Sequence, residues 1–386
     1  MAQGFKVGTH MSPHILDRRE RMLVNNTYIG ESDFVQRFKR ILTAADQTEK
    51  DGFGGVSLFE YMLAIAYVTY IDENVDYMVI ETGLGGKFDA TNSISREDKL
   101  AIITRIGLDH TSILGKTYTA IAKQKAGIIG MNNCVITITQ PERVLTVFKA
   151  AVAEKNGTLQ VINTSDIQHI NTTSEVTSFH YLGKPYELGL LGTHQVENAC
   201  IALCALKTLS QRDGFVIQEE AVKNALKTAS LPARLEKRSY VGTPIFLDGA
   251  HNPQKMRALI KSLKAILPNQ KIHFLVGFKA GKECEEILQC IIPLAKHITV
   301  TRFSRPISGH ILSVEPTQFV SFFEKMKFSN YTLVEDAQRA LDSAAKGELL
   351  VITGSLYLAS EIRPFLTEYQ PITDPDQTQI SRSQTL

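Results

Sequence analysis

The stretch from Tyr77 to Ile129 constrains this chain more than any other. It holds two apolar runs, YMVIETGLGGKFDATN starting at Tyr77 and LAIITRIGLDH starting at Leu100, followed by a helical segment, IAKQKAGII, from Ile121. Both runs are β-branched and nearly uncharged before their polar ends, the pattern of a parallel strand buried on both faces. Polar residues at the carboxyl ends of such strands lie on the edge where open α/β sheets place their ligands. The order therefore predicts that Glu81, Asp109 and His110 leave adjacent strand ends into one crevice, with Lys125 arriving from the next helix. A carboxylate, an imidazole and a lysine on one edge point to a metal and phosphate site. Each also has a plainer use: Glu81 as a solvated carboxylate, and Asp109 or Thr111 as a cap for the next helix.

Length and composition narrow the class. With 386 residues, two domains and a large core are expected. Apolar content of 44% with 21% charged residues fits a globular enzyme, and a net charge of +2 with dispersed basic residues speaks against nucleic-acid or membrane partners. The five cysteines lack zinc-type spacing, and Cys200 and Cys204 read as filler in an apolar helix, so a reducing, cytoplasmic setting is expected. No run has transmembrane length, and no signal peptide precedes the first strand-like segment.

Taken in order, residues 2–15 read as the tail of a helix, a Gly stop, a strand from Lys6 to His10 and a loop in which Pro13 holds Ser12 extended. Asp33 to Thr48 and Ser57 to Tyr70 read as helices. Beyond the central stretch come a strand from Cys134 to Thr139, a helix from Val144 to Asn156, a hairpin-like region from Thr158 to Glu187 and a buried helix within Leu190 to Leu209. Pro232 marks a boundary. After it strands (Pro244–Asp248, Lys271–Val276, His297–Thr301, Glu348–Thr353) alternate with helices (Pro253–Leu267, Lys282–Leu294, Thr317–Met326, Val334–Ala345), which predicts a second doubly wound α/β domain. The polar tail, 367–386, is expected to be disordered.

Two motifs mislead. Gly83-Leu84-Gly85-Gly86 starts like a dinucleotide loop, but the third glycine would fall at Phe88. Gly115-Lys116-Thr117 ends like a Walker A loop, but His110 occupies the place of its first glycine. No complete phosphate-cradling loop of that type occurs in the chain.

The segments THMSPHI, SLFEY, ETGLGGKFDATN, ITRIGLDHTSILG, IAKQKAGII, GTHQVENA, LPARLE, IFLDGAHNP and ITGSLYL, in this order, resemble folylpolyglutamate synthase, often bifunctional with dihydrofolate synthase, of the Mur ligase superfamily. The resemblance covers most of the chain. It implies an α/β fold with a Mur-ligase-type, P-loop-like central domain (1–230) that binds ATP, metal and folate, then a smaller Rossmann-like ligase domain (231–366). The implied reaction is ATP-dependent amide formation: a carboxylate becomes an acyl phosphate, which the amine of L-glutamate attacks. By the same resemblance Ser12, Glu81 and His110 bind magnesium, and Lys125 is carbamylated to give an anionic oxygen ligand, so that two Mg2+ sites form. Asn198, Arg234, Asp248 and His251 would contact ATP, while Ser57, Phe59 and Glu60 would contact a reduced folate or dihydropteroate. A cytoplasmic monomer is expected.

Structural alternatives stand beside these roles: Lys125 paired with Glu81 or helix carbonyls, Asn198 as a polar helix start, Asp248 as a helix cap, and Phe59 in a core helix. The chain also departs from the family, whose members place a strand, a TNGKGS-type loop and a helix ahead of the SPH loop. It is read as N-terminally truncated, lacking the P-loop, with neighbouring strand edges exposed and no useful rate of turnover expected. A catalytically inactive remnant that binds folate or nucleotide is the first alternative function. A cell-wall Mur ligase is the second, opposed by the SPH loop, SLFEY and the lack of an extra N-terminal domain.

Overall fold

The structure, a computed structural model, describes residues 1–280, 283–304 and 312–368. The chain divides into two compact units: Met1–Gly189 with Thr193–Ala229, and Leu190–Gly192 with the chain from Ser230 onward.

In unit 1 the first four residues make one turn, closed by Gly4 N–H to the Met1 carbonyl, rather than the end of a helix. β1 (Val7–His10) pairs antiparallel with β2 (Leu23–Val24). Helices α1 (Glu31–Lys50) and α2 (Leu58–Asp72) follow, then β3 (Tyr77–Ile80), which runs parallel to β1. The register sets His10 opposite Ile80, so Glu81 emerges beside the end of β1. Met22, Ile65 and Tyr70 anchor the core here.

The next run forms β4 (Leu100–Ile103), α3 (Thr111–Leu114), α4 (Tyr118–Ala126), β5 (Cys134–Ile138), α5 (Glu142–Glu154) and β6 (Thr158–Ile162). β4, β5 and β6 make a wholly parallel sheet over a core that includes Ile103, Ile121, Val135 and Phe148. An antiparallel meander of β7 (Ile167–Thr172), β8 (Thr177–Tyr181) and β9 (Lys184–Leu188) leads to α6 (Thr193–Asp213) and α7 (Glu219–Lys227).

The expectation of two adjacent, buried strands is corrected at this point. β3 and β4 belong to different three-stranded sheets, and among the described residues each has a strand neighbour on one side only. Met78 and Val79 are 44% and 58% exposed, and Ile102 is 40% exposed. The starts of both strands are still tied to one helix end: Tyr77 donates its hydroxyl to Asp213, and Arg212 donates to the Asp98 carbonyl. An apolar strand is buried on both faces only when its neighbours extend the sheet under covering helices.

Unit 2 consists of β10 (Glu236–Tyr240), β11 (Thr243–Leu247), α8 (Pro253–Ile266), β12 (Ile272–Val276), α9 (Cys284–Ile291), β13 (Ala295–Thr301), α10 (Val320–Lys325), β14 (Tyr331–Val334), α11 (Ala337–Ala344), β15 (Leu350–Thr353), α12 (Leu356–Ile362) and β16 (Thr367–Glu368). These strands form one seven-stranded sheet, ordered β14-β13-β12-β15-β11-β10-β16, in which only β10 is reversed, pairing antiparallel with β11 on one side and with β16 on the other. Phe246, Phe274, Leu263, Ile287 and Phe323 fill the core.

Four expectations change in this unit. β10, β14 and α12 were not anticipated, and Thr367 and Glu368, assigned to the disordered tail, pair with Ser239 and Arg238 as an edge strand. Polar residues suit a sheet edge that faces water. Residues 369–386, the rest of that tail, lie outside the described residues, as does Lys282 at the expected start of α9. No helix among the described residues is long and apolar enough to cross a membrane.

Candidate active site

The end of β1 and the residue after β3 hold each other. The Glu81 N–H donates to the His10 carbonyl at 3.0 Å, and the Ser12 N–H donates to Glu81 Oε2 at 2.7 Å. The Glu81 carboxylate is thus held against the backbone of Ser12, the residue expected to bring a second oxygen donor.

Past Glu81, the glycine loop lies against α4, the helix that carries Lys125. Lys87 N–H donates to the Gln124 carbonyl at 2.9 Å. A Cβ on Gly86 (φ 150°) would sit 2.8 Å from that carbonyl and 3.2 Å from Lys125 Cα, and one on Gly127 would sit 2.4 Å from Lys87 Cα. The glycines therefore serve a close approach of loop to helix. Lys125 is half-buried in the last turn of α4. Asp89 closes the loop: Oδ2 accepts from Leu84 N–H at 2.7 Å, and Oδ1 accepts from Thr91 N–H at 3.0 Å and the Thr91 hydroxyl at 2.6 Å.

Between this loop and the start of α2 lies a cavity of about 450 Å³ whose lining includes Phe59, Phe88, Asp89 and Gln124. Ser57 and Glu60 line it too, but both have a structural task. The Ser57 hydroxyl accepts from Glu60 N–H at 3.3 Å, and Glu60 Oε2 accepts from Ser57 N–H at 2.8 Å, a capping box for α2. Hydrogen bonds from Ser57 hold the Glu60 carboxyl below the usual range. Phe59 crosses over Gly83 on the cavity wall, where a Cβ would come within 2.6 Å of its ring.

His110 and Asp109 form a second pair. His110 takes a left-handed conformation (φ 50°) at the start of α3, its N–H donating to Asp109 Oδ1 at 2.9 Å, with its Nε2 3.9 Å from the same oxygen. Its side chain makes no capping bond, and neither Asp109 nor Thr111 caps a helix. Among the described residues no three His, Cys, Asp or Glu groups converge into a ready-made cage. Magnesium takes one or two carboxylates and completes its shell with waters and substrate phosphates. Of the three expected ligands, Ser12 and Glu81 are joined directly, and that pair could hold a hard cation.

In unit 2, three of the expected residues gather at the end of β11. Asp248 is no helix cap. Its Oδ2 accepts from Leu235 N–H at 2.9 Å and its Oδ1 from Ala250 N–H at 2.8 Å, while Asn252 caps α8. Arg234 Nη1 donates to the Ala233 carbonyl at 3.1 Å and lies against Gly249. His251 Nδ1 donates to the Gly249 carbonyl at 2.7 Å, which leaves Nε2 to accept from Lys255 Nζ at 3.1 Å. Ala233 and Leu235, on either side of Arg234, both have positive φ, 53° and 46°. Such backbone costs on the order of 1–3 kcal/mol per residue and collects at functional sites. Asn198, near the start of α6 in unit 1, donates to Gln195 Oε1 at 3.0 Å and is exposed.

Asp89 was missed at the sequence level, although the DATN segment that follows Phe88 was in view. Its work is on backbone amides, which no spacing reveals.

Residues 45–206 match the Mur ligase middle domain, and residues 232–366 match the C-terminal domain of dihydrofolate synthetase. The dihydrofolate synthase/folylpolyglutamate synthase of Bacillus subtilis is 32% identical over 384 residues, covering 93% of this chain and 84% of the relative. The crystal structure of folylpolyglutamate synthase from Thermotoga maritima superposes with a TM-score of 0.79 at 30% identity, over 94% of this chain and 83% of that one. A folylpolyglutamate synthase complex with AMPPCP and folate gives a TM-score of 0.75 at 27% identity, over 94% of this chain and 84% of that one.

Proposed function

This chain belongs to the folylpolyglutamate synthase/dihydrofolate synthase family of ATP-dependent ligases, and on that premise we propose that it joins L-glutamate to a reduced folate or to dihydropteroate. The γ-phosphoryl group of ATP passes to the substrate carboxylate, ADP leaves, and the glutamate amine displaces phosphate from the acyl phosphate to form the amide. The matched relatives carry folate-ligase names, which favours this reading over a cell-wall ligase.

One observation carries the substrate assignment: the 450 Å³ cavity shares its wall with the glycine loop that begins two residues after Glu81. A flat heterocycle would stack on Phe59 and Phe88, with the Asp89 carboxylate beside it. Ser12, Glu81 and His110 would hold one magnesium ion, and Lys125, as its carbamate, a second. Bound magnesium supplies charge neutralisation at the phosphates during transfer. Asn198, Arg234, Asp248 and His251 are the residues proposed to contact the nucleotide. The pinned backbone around Arg234 supports that role, because it holds the guanidinium without an ordering cost at binding. In this proposal residues 1–230 bind ATP, metal and folate, residues 231–366 form the second ligase domain, and the protein works as a cytoplasmic monomer.

Binding of tetrahydrofolate to residues 1–386, read by calorimetry, tests the substrate assignment. Wild type should bind, and a nucleotide-sugar peptide should not. Phe59→Ala should weaken binding about thirtyfold, near 2 kcal/mol for loss of a buried ring contact. Equal affinity of wild type and Phe59→Ala would remove the cavity from the reading.

A further inference from the structure

The loop that carries Ser12 is filled by a residue the proposed chemistry does not use. Between β1 and β2 the chain leaves the sheet at Met11 and returns through a short 3-10 turn, Arg18–Arg21. The β1–β2 pairing closes the base of this excursion, with Thr9 opposite Leu23. From the turn, Glu20 directs its carboxylate back into the loop. Oε2 accepts from Ile15 N–H at 2.5 Å, and Oε1 accepts from Leu16 N–H at 2.8 Å and Asp17 N–H at 2.9 Å. Three consecutive amides on one carboxylate make a charge-assisted clamp, stronger than the same bonds to a neutral acceptor.

Arg21 completes it. Its Nε–H donates to His14 Nδ1 at 2.9 Å, and its carbonyl accepts from His10 Nδ1–H at 2.7 Å. His10, His14 and Arg21 are 0%, 5% and 6% exposed, so these bonds are made away from water. The loop is thus fixed at its base and its interior, and it turns the Ser12 N–H onto Glu81 Oε2 while His10 holds the Glu81 backbone. Ser12 depends on the loop conformation that Glu20 and Arg21 hold, and through the Ser12 N–H so does the direction of the Glu81 carboxylate.

We infer that Glu20, supported by Arg21, is a positioning residue for a divalent cation at Ser12 and Glu81. The inference rests on the reading of that pair as cation ligands. Glu20 itself faces the amides of the loop and touches no substrate. Its loss would let residues 11–17 sample other conformations, and each binding event would then have to reorder them. Removing such an outer support of a metal ligand typically costs ten- to a hundredfold in metal affinity.

The test is Mn2+ binding to the 386-residue chain, read by the electron paramagnetic resonance of free Mn2+. Glu81→Gln measures the cation reading, and Glu20→Gln measures the inference. Glutamine has the same shape but puts an NH2 where one of the accepting oxygens was. Tyr77→Phe, which removes the bond to Asp213 elsewhere in unit 1, controls for general destabilisation. Expected are a loss of Mn2+ affinity of tenfold or more in Glu20→Gln, faster hydrogen exchange at Ile15 to Asp17, and unchanged affinity in Tyr77→Phe.

Wild-type affinity in Glu20→Gln, with Glu81→Gln impaired, overturns the inference and leaves the cation reading standing. Wild-type affinity in Glu81→Gln overturns both. An equal loss in Glu20→Gln and Tyr77→Phe at matched stability also overturns the inference. If Glu20→Gln does not fold, Arg21→Lys, which keeps the charge but loses the donor to His14, is judged by the same criteria.

Discussion

β3 and β4 in unit 1 and β12 and β15 in unit 2 are written in the same vocabulary: short, apolar, β-branched and parallel to a neighbour. Their surroundings differ. β12 pairs with β13 and β15, and β15 pairs with β12 and β11, so each has both edges occupied and almost every residue is buried. β3 pairs with β1 and β4 with β5, and the middle of each strand reaches solvent. Burial of a strand is therefore set by its neighbours as much as by its own residues. In unit 1 apolar residues divide between a core around Tyr70 and one around Phe148, whereas in unit 2 a core runs beneath four parallel strands.

The largest effect should come from cutting into the continuous sheet. Phe274 in β12 is fully buried among Leu263, Ile287 and Phe323 in the unit 2 core. Phe274→Ala should destabilise unit 2 by about 3–5 kcal/mol, transfer and cavity terms together. Because two units need not unfold as one, the measurement should be region-resolved hydrogen exchange in urea rather than a single melting curve. A cost below about 1 kcal/mol would mean that unit 2 is no better packed than the split sheets, and the comparison would fail.

How far the sequence could be read follows the same division. Period and residue type were enough to find β3, β4, β11, β12 and most helices, because those signals are local. Which strands pair is not a local property, so the unpaired edges of β3 and β4 were misjudged as buried. β10 was missed because EKRSY reads as polar. Its half-buried Glu236 is satisfied by Arg238, Arg363 and the Ala233 N–H, and Arg363 lies far along the chain. The same holds at the site. Glu81, Asp248 and His251 end apolar runs and stood out, whereas Asp89 acts on backbone amides and left no pattern, and the capping-box spacing of Asp17 and Glu20 was passed over.

A middle-sized effect should appear with acid. His273 sits in β12, its Nε2 bonded to the Thr299 hydroxyl at 2.9 Å, and burial followed by the nearby His297 pushes its pKa down from 6.5 to about 4. A histidine held neutral in the fold but free to charge when unfolded favours the unfolded state at low pH. Its contribution is complete above 6.5 and is lost as pH falls from 6.5 through about 4, with no further loss below. The full shift would be worth about 3–4 kcal/mol, and solvent screening of this partly exposed ring reduces it to roughly 2–3 kcal/mol. His273→Gln should flatten that part of the pH dependence in the exchange of β12 and β13 and leave unit 1 unchanged. An identical pH profile in the variant would show that His273 does not carry the acid sensitivity of the continuous sheet.

The smallest effect is the sharpest probe of the comparison, because it uses one substitution at two matched places. Val79 in β3 is 58% exposed, and Val351 in β15 is fully buried. Threonine keeps the shape of valine and adds a hydroxyl. At Val351 that hydroxyl would be desolvated among apolar neighbours, costing about 1–3 kcal/mol if it finds no partner. At Val79 water can satisfy it, so Val79→Thr should change stability by no more than about 0.5 kcal/mol. An exposed apolar edge also invites pairing between molecules, so Val79→Thr should lower light scattering at high protein concentration. A cost at Val79 close to that at Val351, with scattering unchanged, would mean that β3 is covered in solution, and the contrast between the two sheets would then belong to the isolated chain alone.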